Sequence, residues 1–255
     1  MMYFTLIKKE AVEAFRTYRF LIIISIFVLF GLISSITAKL LPEIIQSLGS
    51  GIEINLPEPN VYDSWLQFFS NHSQMTLIIF LITFGNALGK ELTNGTLVLL
   101  VTKGVNRNTA MLAKVIYQSV LWLGGLLLSF TITYLYNLLL FPGEQQAIST
   151  LLFYLFQLWL FGFLFLCIIN FGQVLLPKSQ GGLLLGFTFL VLFFISNISS
   201  ALAKLNPLKL IEVSMEGLKT SVDFSNSQWP ILLAVGLSLL LLIGAVLRFK
   251  RVSIY

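Results

Sequence analysis

The sequence predicts an all-α integral membrane fold: six transmembrane helices in a single domain spanning residues 1–255, with both termini in the cytoplasm (N-in/C-in). Three observations carry this. The 255 residues are 57% hydrophobic, with a mean hydropathy of +0.90. Only 11% are charged, against about 25% in a soluble domain. The apolar residues gather into runs near the ~20 residues that cross a bilayer, and the basic residues gather at the ends of those runs. In a soluble chain the net charge of +5 would raise the question of nucleic acid. Here the cations report topology, and no nucleic-acid partner is expected.

Residues 1–19 come first. Phe4, Ile7, Ala11, Ala14 or Phe15, and Tyr18 recur at helical spacing on one face, with Lys8, Lys9, Glu10, Glu13 and Arg16 on the other. Such a helix, placed directly before a span, is expected to lie in the interface plane of the lipid bilayer. Span 1 covers residues 20–38. It exceeds the apolar core of a signal peptide, and no small-x-small cleavage site follows it.

The outer loop 39–69 carries Pro42, Pro57, Pro59, Gly49 and Gly51. It ends in Tyr62, Trp65, Phe68 and Phe69, which read as an interfacial aromatic anchor. His72 is the only histidine. Without a second histidine or a nearby cysteine it reads as an interfacial residue, not a zinc ligand. Span 2 covers 70–88, span 3 covers 111–141, and Pro142-Gly143 turns the chain back into span 4, 148–171. Cys167 lies inside this apolar run and reads as a buried thiol; as the one cysteine it has no partner for an intramolecular disulfide. Span 5, 181–203, contains the small-xxx-small pair Gly182 and Gly186, which suits close helix contact. In the second outer loop, 204–228, Leu208, Ile211, Met215 and Leu218 share a helical face opposite Lys209, Glu212, Glu216 and Lys219. A surface-lying helix is expected there. Span 6, 229–247, ends on the stop-transfer cluster Arg248, Lys250 and Arg251.

Orientation follows by counting. With both termini inside, the inner segments hold Lys8, Lys9, Arg16, Arg19, Lys90, Lys103, Arg107, Lys114, Lys178, Arg248, Lys250 and Arg251, which is 12 of the 16 basic residues. The outer segments hold Lys39, Lys204, Lys209 and Lys219. The positive-inside rule favours this arrangement.

It also places the segment from Gly89 to Lys114 in the cytoplasm. Thr93 or Asn94 is a suitable N-cap, because its side-chain oxygen can accept from the unpaired amides of a first turn. Gly104 is suited to closing a helix in the left-handed conformation. A short helix within about 93–104 is therefore expected, too short to cross a membrane.

The residues Glu91, Asn94-Gly95-Thr96-Leu97, Leu99-Leu100, Lys103, Val105, Arg107 and Ala113-Lys114 resemble the first cytoplasmic loop of type-2 ABC exporter permeases. In that family the segment often reads E-x-x-x-G-T-L-x-x-L-L-x-K-P-V-S-R and runs into A-K. This chain departs from it with Gly104 for the usual proline and Asn106 for the serine. The resemblance implies that residues 93–104 form a coupling helix, with Glu91, Thr93, Asn94, Gly95, Thr96, Leu97, Leu100, Lys103 and Arg107 coupling to an ATPase. It also implies a cytoplasmic ABC ATPase subunit as partner, a second permease copy or paralogue completing a dimer, and the bacterial cytoplasmic membrane as location. ATP and magnesium would then belong to the partner, with no cofactor in this chain.

The chain's own chemistry agrees with that division. Gly85 and Gly89 precede Lys90 as in a phosphate loop, but with three residues between the glycines where four are needed, and with Glu91 where Ser or Thr would bind magnesium. No catalytic set, G-x-S-x-G motif or metal-ligand spacing is present. The spans carry no acidic or basic side chain away from their ends, whereas ion-driven carriers keep such groups in the membrane. Polar uncharged residues occur at depth, among them Asn86, Asn137, Gln157, Asn170, Gln173, Ser196 and Asn197, and they read as helix-to-helix hydrogen bonding, with a substrate path as the alternative. The competing reading is a non-transporting membrane anchor or sensor that binds a cytoplasmic partner through the same loop.

Overall fold

The computed structural model describes residues 2–48, 58–177, 180–219 and 227–250. Helices make up its architecture, and no strand occurs among the described residues. Helix α1 (Met2–Arg16) turns at Tyr18, which takes a left-handed φ of 59°, into α2 (Arg19–Leu48). Helix α3 (Val61–Asn71) passes through a π-helical turn, His72–Thr76, into α4 (Leu77–Phe84). Two short helices follow, α5 (Ala87–Thr93) and α6 (Thr96–Thr102). The long α7 (Arg107–Leu140) and α8 (Ile148–Leu175) form the centre. Beyond them lie α9 (Gly181–Ser196), the single turns α10 (Ser200–Ala203) and α11 (Met215–Lys219), and finally α12 (Gln228–Phe249).

Among the described residues four helices are long and apolar enough to cross a membrane: Arg19–Leu41, α7, α8 and α12. The stretch Val61–Glu91, taken with α6 across a 56° bend, is a fifth candidate. The chain is a multi-pass membrane protein. Helix α9 is apolar but 16 residues long, short of the ~20 needed for an untilted crossing. The expected span 5 thus divides at Asn197–Ser199 into α9 and α10.

Several expectations are corrected at the Val61 end. The first outer loop is helical through Leu48, and the second long helix begins at Val61 rather than near residue 70. A capping box explains the early start. The Asn60 side chain accepts from the Tyr62 amide at 2.9 Å, and the Asp63 carboxylate accepts from the Asn60 amide at 2.9 Å. Trp65, Phe68 and Phe69 are buried, not an interfacial belt: Trp65 packs on Phe130 at 4.7 Å between ring centres and its indole N–H donates to Gln146 at 2.8 Å. His72 then lies about 16 Å along the helix from Val61, at 1.5 Å per residue. It is fully buried, 4.2 Å from the Phe68 ring, with Nδ1 against the Phe68 carbonyl at 2.8 Å. The interfacial reading of His72 is therefore overturned.

The second outer loop is not one amphipathic helix. A 3-10 turn, Pro207–Leu210, and α11 bury Leu208, Leu210 and Leu218 as separate plugs, while Ile211 and Met215 are only half-buried. Asn206 breaks the helical run by capping the 3-10 turn, accepting from the Leu208 amide at 3.0 Å. Residues 49–57, Lys178, Ser179, residues 220–226 and Arg251 lie outside the described residues. Gly182 does mediate a close approach: a Cβ there would sit 2.4 Å from the Gly85 carbonyl oxygen.

Candidate functional site

The break at Gly85–Asn86 leaves the first amides of α5 unpaired. Gln173 of α8 meets this need from inside the bundle. Its Oε1 accepts from the Leu88 and Gly89 amides at 2.7 and 3.2 Å, and its Nε2 donates to the Phe84 carbonyl at 3.4 Å. A buried side chain thus joins the two halves of the bent helix. One turn further, α5 presents Glu91 to α1 and α7.

Glu91, Glu10 and Lys114 are 6%, 9% and 1% exposed, and they meet in one buried cluster. The Lys9 ammonium donates to Glu91, to Glu10 at 2.9 Å and to Glu13 at 3.1 Å. The Lys114 ammonium donates to Glu10 at 2.5 Å and lies 3.4 Å from Glu91. Arg19 closes the rim at 3.8 Å from Glu13. Three cations and three carboxylates therefore balance. The oxygens of Glu10, Glu13 and Glu91 lie within 4.8 Å of one another, but the two ammonium groups already serve them, so the cluster works as an ionic clamp.

Burial alone would lower the Lys9 ammonium, yet Glu91 and Glu10 hold it above the ordinary lysine value. Burial alone would raise the Glu13 carboxyl, yet Lys9, Lys114 and Arg19 hold it below its ordinary value. The signs define a window. The Glu13 contribution is present above about pH 4.3 and is lost as pH falls further. The Lys9 contribution is complete below about pH 10.4 and is lost as pH rises further. Across the physiological range both the Lys9 and the Glu13 contributions are therefore present.

The N-terminal helix thus faces the bundle differently from its predicted polarity. Leu6, Glu10 and Ala14 point inward and Ile7 is half-buried, while Phe4, Ala11 and Phe15 are exposed. The charged pair Lys9 and Glu10, read as a solvent face, is what attaches the helix. Charges brought within reach by tertiary packing, 82 and 104 residues apart in sequence, leave no local periodic signal.

The short helix expected between spans 2 and 3 is present as α6, with a different start. Gly95, at φ 70°, precedes it, and no side chain caps it. Thr93 and Asn94 instead finish α5: the Thr93 hydroxyl donates to the Gly89 and Lys90 carbonyls at 3.1 Å each, and the Asn94 amide donates to Lys90 at 2.9 Å. Thr96 donates back to the Glu91 carbonyl at 3.3 Å. The exit matches the expectation. Gly104 has φ 85°, with Gly104 N–H to Val101 O at 2.9 Å and Val105 N–H to Leu100 O at 3.1 Å, the Schellman pattern. Asn106 then caps α7, accepting from the Asn108 amide at 3.0 Å.

Leu97 is fully buried against Leu88, Met111, Val174 and Phe249, and Leu100 is half-buried in the same cluster. Leu97 therefore anchors α6 to its own chain and does not face outward. The outward side is Leu99, 63% exposed, with Thr96, Thr102 and Lys103. Arg107, partly buried, opens α7. The structure gathers Glu91, Gly95, Thr96, Leu97 and Leu100 into one end of the bundle and adds Lys9, Glu10, Lys114 and Gln173 to them.

No known protein family matches the chain, and no curated protein is significantly similar to it.

Proposed function

We propose that this protein is the membrane permease subunit of an ATP-driven exporter of the type-2 ABC class, with ATP hydrolysis by a separate cytoplasmic nucleotide-binding subunit. The observation that carries the proposal is α6: a short, glycine-bounded helix with one apolar side buried in its own bundle and one leucine, Leu99, turned outward beside Lys103. The ionic clamp ties α5, the helix that leads into α6, to α1 and α7, and Gln173 ties it to α8. Force applied at α6 by a closing ATPase pair would reach both neighbouring spans as tilt. In this reading the bent Val61–Glu91 stretch and α9 with α10 complete six spans, N-in/C-in. The exposed Phe4 and Phe15 of α1 rest in the cytoplasmic interface of a bacterial cytoplasmic membrane, and a second permease copy or paralogue completes a dimer.

Two tests address the proposal directly. The purified chain alone is expected to hydrolyse ATP no faster than buffer, with turnover appearing only when an ABC ATPase subunit co-purifies with it. Intrinsic turnover would overturn the division of labour, and failure of any ATPase to co-purify would favour the anchor or sensor reading. For topology, in a chain lacking Cys167, a cysteine at Glu144 is expected to react with an impermeant maleimide in whole cells, and one at Asn106 is expected to stay unlabelled until the cells are opened. Labelling at Asn106 from outside would invert the orientation and remove α6 from the cytoplasm.

A further inference from the structure

At the end of the bundle away from the clamp, a cavity of about 640 Å³ opens between α3, α4, α8 and α9 under the 3-10 segment. Its size falls within the roughly 300–1,000 Å³ of small-molecule sites. Phe69, Phe161 and Phe194 form apolar walls from three separate helices. Polar groups line the same space: Gln74, which donates to the Ser70 hydroxyl at 3.3 Å, Asn197 and Glu212. A shallow apolar cleft of about 30 Å³ adjoins the cavity, sharing Ile78, Leu81 and Leu190 with it. Apolar walls and a few polar groups thus line one space.

Charge decides what this cavity suits. Glu212 is the only charged side chain among the cavity's described lining residues. Lys209 approaches it at 4.0 Å, the outer limit of an ion pair, with both side chains partly in solvent, an arrangement worth little. Lys209 thus leaves the Glu212 carboxylate available to a cationic ligand at the cavity. An anionic head would meet Glu212 repulsively.

We infer that this cavity binds an amphiphilic cation, with its ammonium at Glu212 and its alkyl chain along the cavity's apolar lining. The inference goes beyond the permease reading and does not rest on it, because the site lies within this chain and its test needs no ATPase.

The test is calorimetric titration of decyltrimethylammonium into the full chain in lipid nanodiscs, with empty nanodiscs subtracted and decyl sulfate as the matched anion. One saturable cation site is expected, with at least a tenfold preference over the sulfate. Each methylene removed from the chain should weaken binding about fourfold. Glu212→Gln, at an exposed position, should weaken the cation about three- to fivefold and leave the sulfate unchanged or improved. Leu190→Trp, which fills the junction of cavity and cleft, should weaken the cation at least tenfold. Binding no different from empty nanodiscs, or equal affinity for cation and sulfate, would overturn the inference. So would a Glu212→Gln variant with unchanged cation preference, even if Leu190→Trp proved unstable.

Discussion

Lys114→Met is expected to cost about 3–5 kcal/mol and to free the N-terminal helix from the bundle. Lys114 is 1% exposed and holds Glu10 at 2.5 Å and Glu91 at 3.4 Å. Methionine retains most of its volume, so packing changes little. What changes is that two nearly buried carboxylates are left with Lys9 as their nearest cation. An uncompensated buried charge is far more costly than a pair removed together. The double variant Lys114→Met/Glu91→Gln should therefore recover part of the loss, although it deletes more of the clamp. Lys90→Met, on an exposed neighbour, should be neutral within about 0.5 kcal/mol. The measurements are thermal unfolding in detergent and amide exchange over residues 2–16. If Lys114→Met melts with the parent and α1 exchanges no faster, the cluster is not what joins α1, α5 and α7.

The sequence revealed the spans and concealed the clamp for the same physical reason. Burial in a bilayer selects long apolar runs, and 19–41, 107–140, 148–175 and 228–249 are such runs. Helix ends with a local chemical cause were also legible: Gly104 closes α6, and the Asn60/Asp63 pair that opens α3 was present to be read, although the prolines and glycines before it obscured it. Trp65 and His72 misled because aromatic and amphipathic residues near a predicted boundary suit the interface, and the boundary itself was misplaced by nine residues, 61 against 70. Lys9, Glu10 and Lys114 were legible only as ordinary charges at helix ends. Their pairing depends on how α1 folds back across α7, which no spacing rule encodes. Gln173 is the intermediate case. A glutamine in an apolar run signals a hydrogen bond, but the broken helix that it mends lies 84 and 85 residues away.

Under the proposed function, Leu99→Glu is expected to abolish capture of an ATPase subunit while leaving this chain intact, and Leu97→Glu to do the reverse damage. The two leucines lie two residues apart on α6, yet Leu97 is fully buried in its own bundle and Leu99 is 63% exposed. A glutamate at 99 meets water in the isolated chain, so stability should move by no more than about 0.5 kcal/mol. Within a docked interface the same carboxylate would be desolvated without a partner, at a cost of several kcal/mol. Each 1.4 kcal/mol is tenfold in Kd, so a micromolar complex would weaken to near-millimolar and drop out of a pull-down. A glutamate at 97 instead enters the cluster of Leu88, Met111, Val174 and Phe249, and the chain itself should lose stability and monodispersity. Leu100→Glu, half-buried, should show both defects in part. Lys103→Ala removes an exposed charge and should weaken docking only about two- to fivefold. Pull-down of the co-purifying ATPase, run beside size-exclusion profiles of the permease, separates these outcomes. If Leu99→Glu remains monodisperse and retains the ATPase fully, α6 does not dock it, and the proposed transmission of force from α6 fails with it.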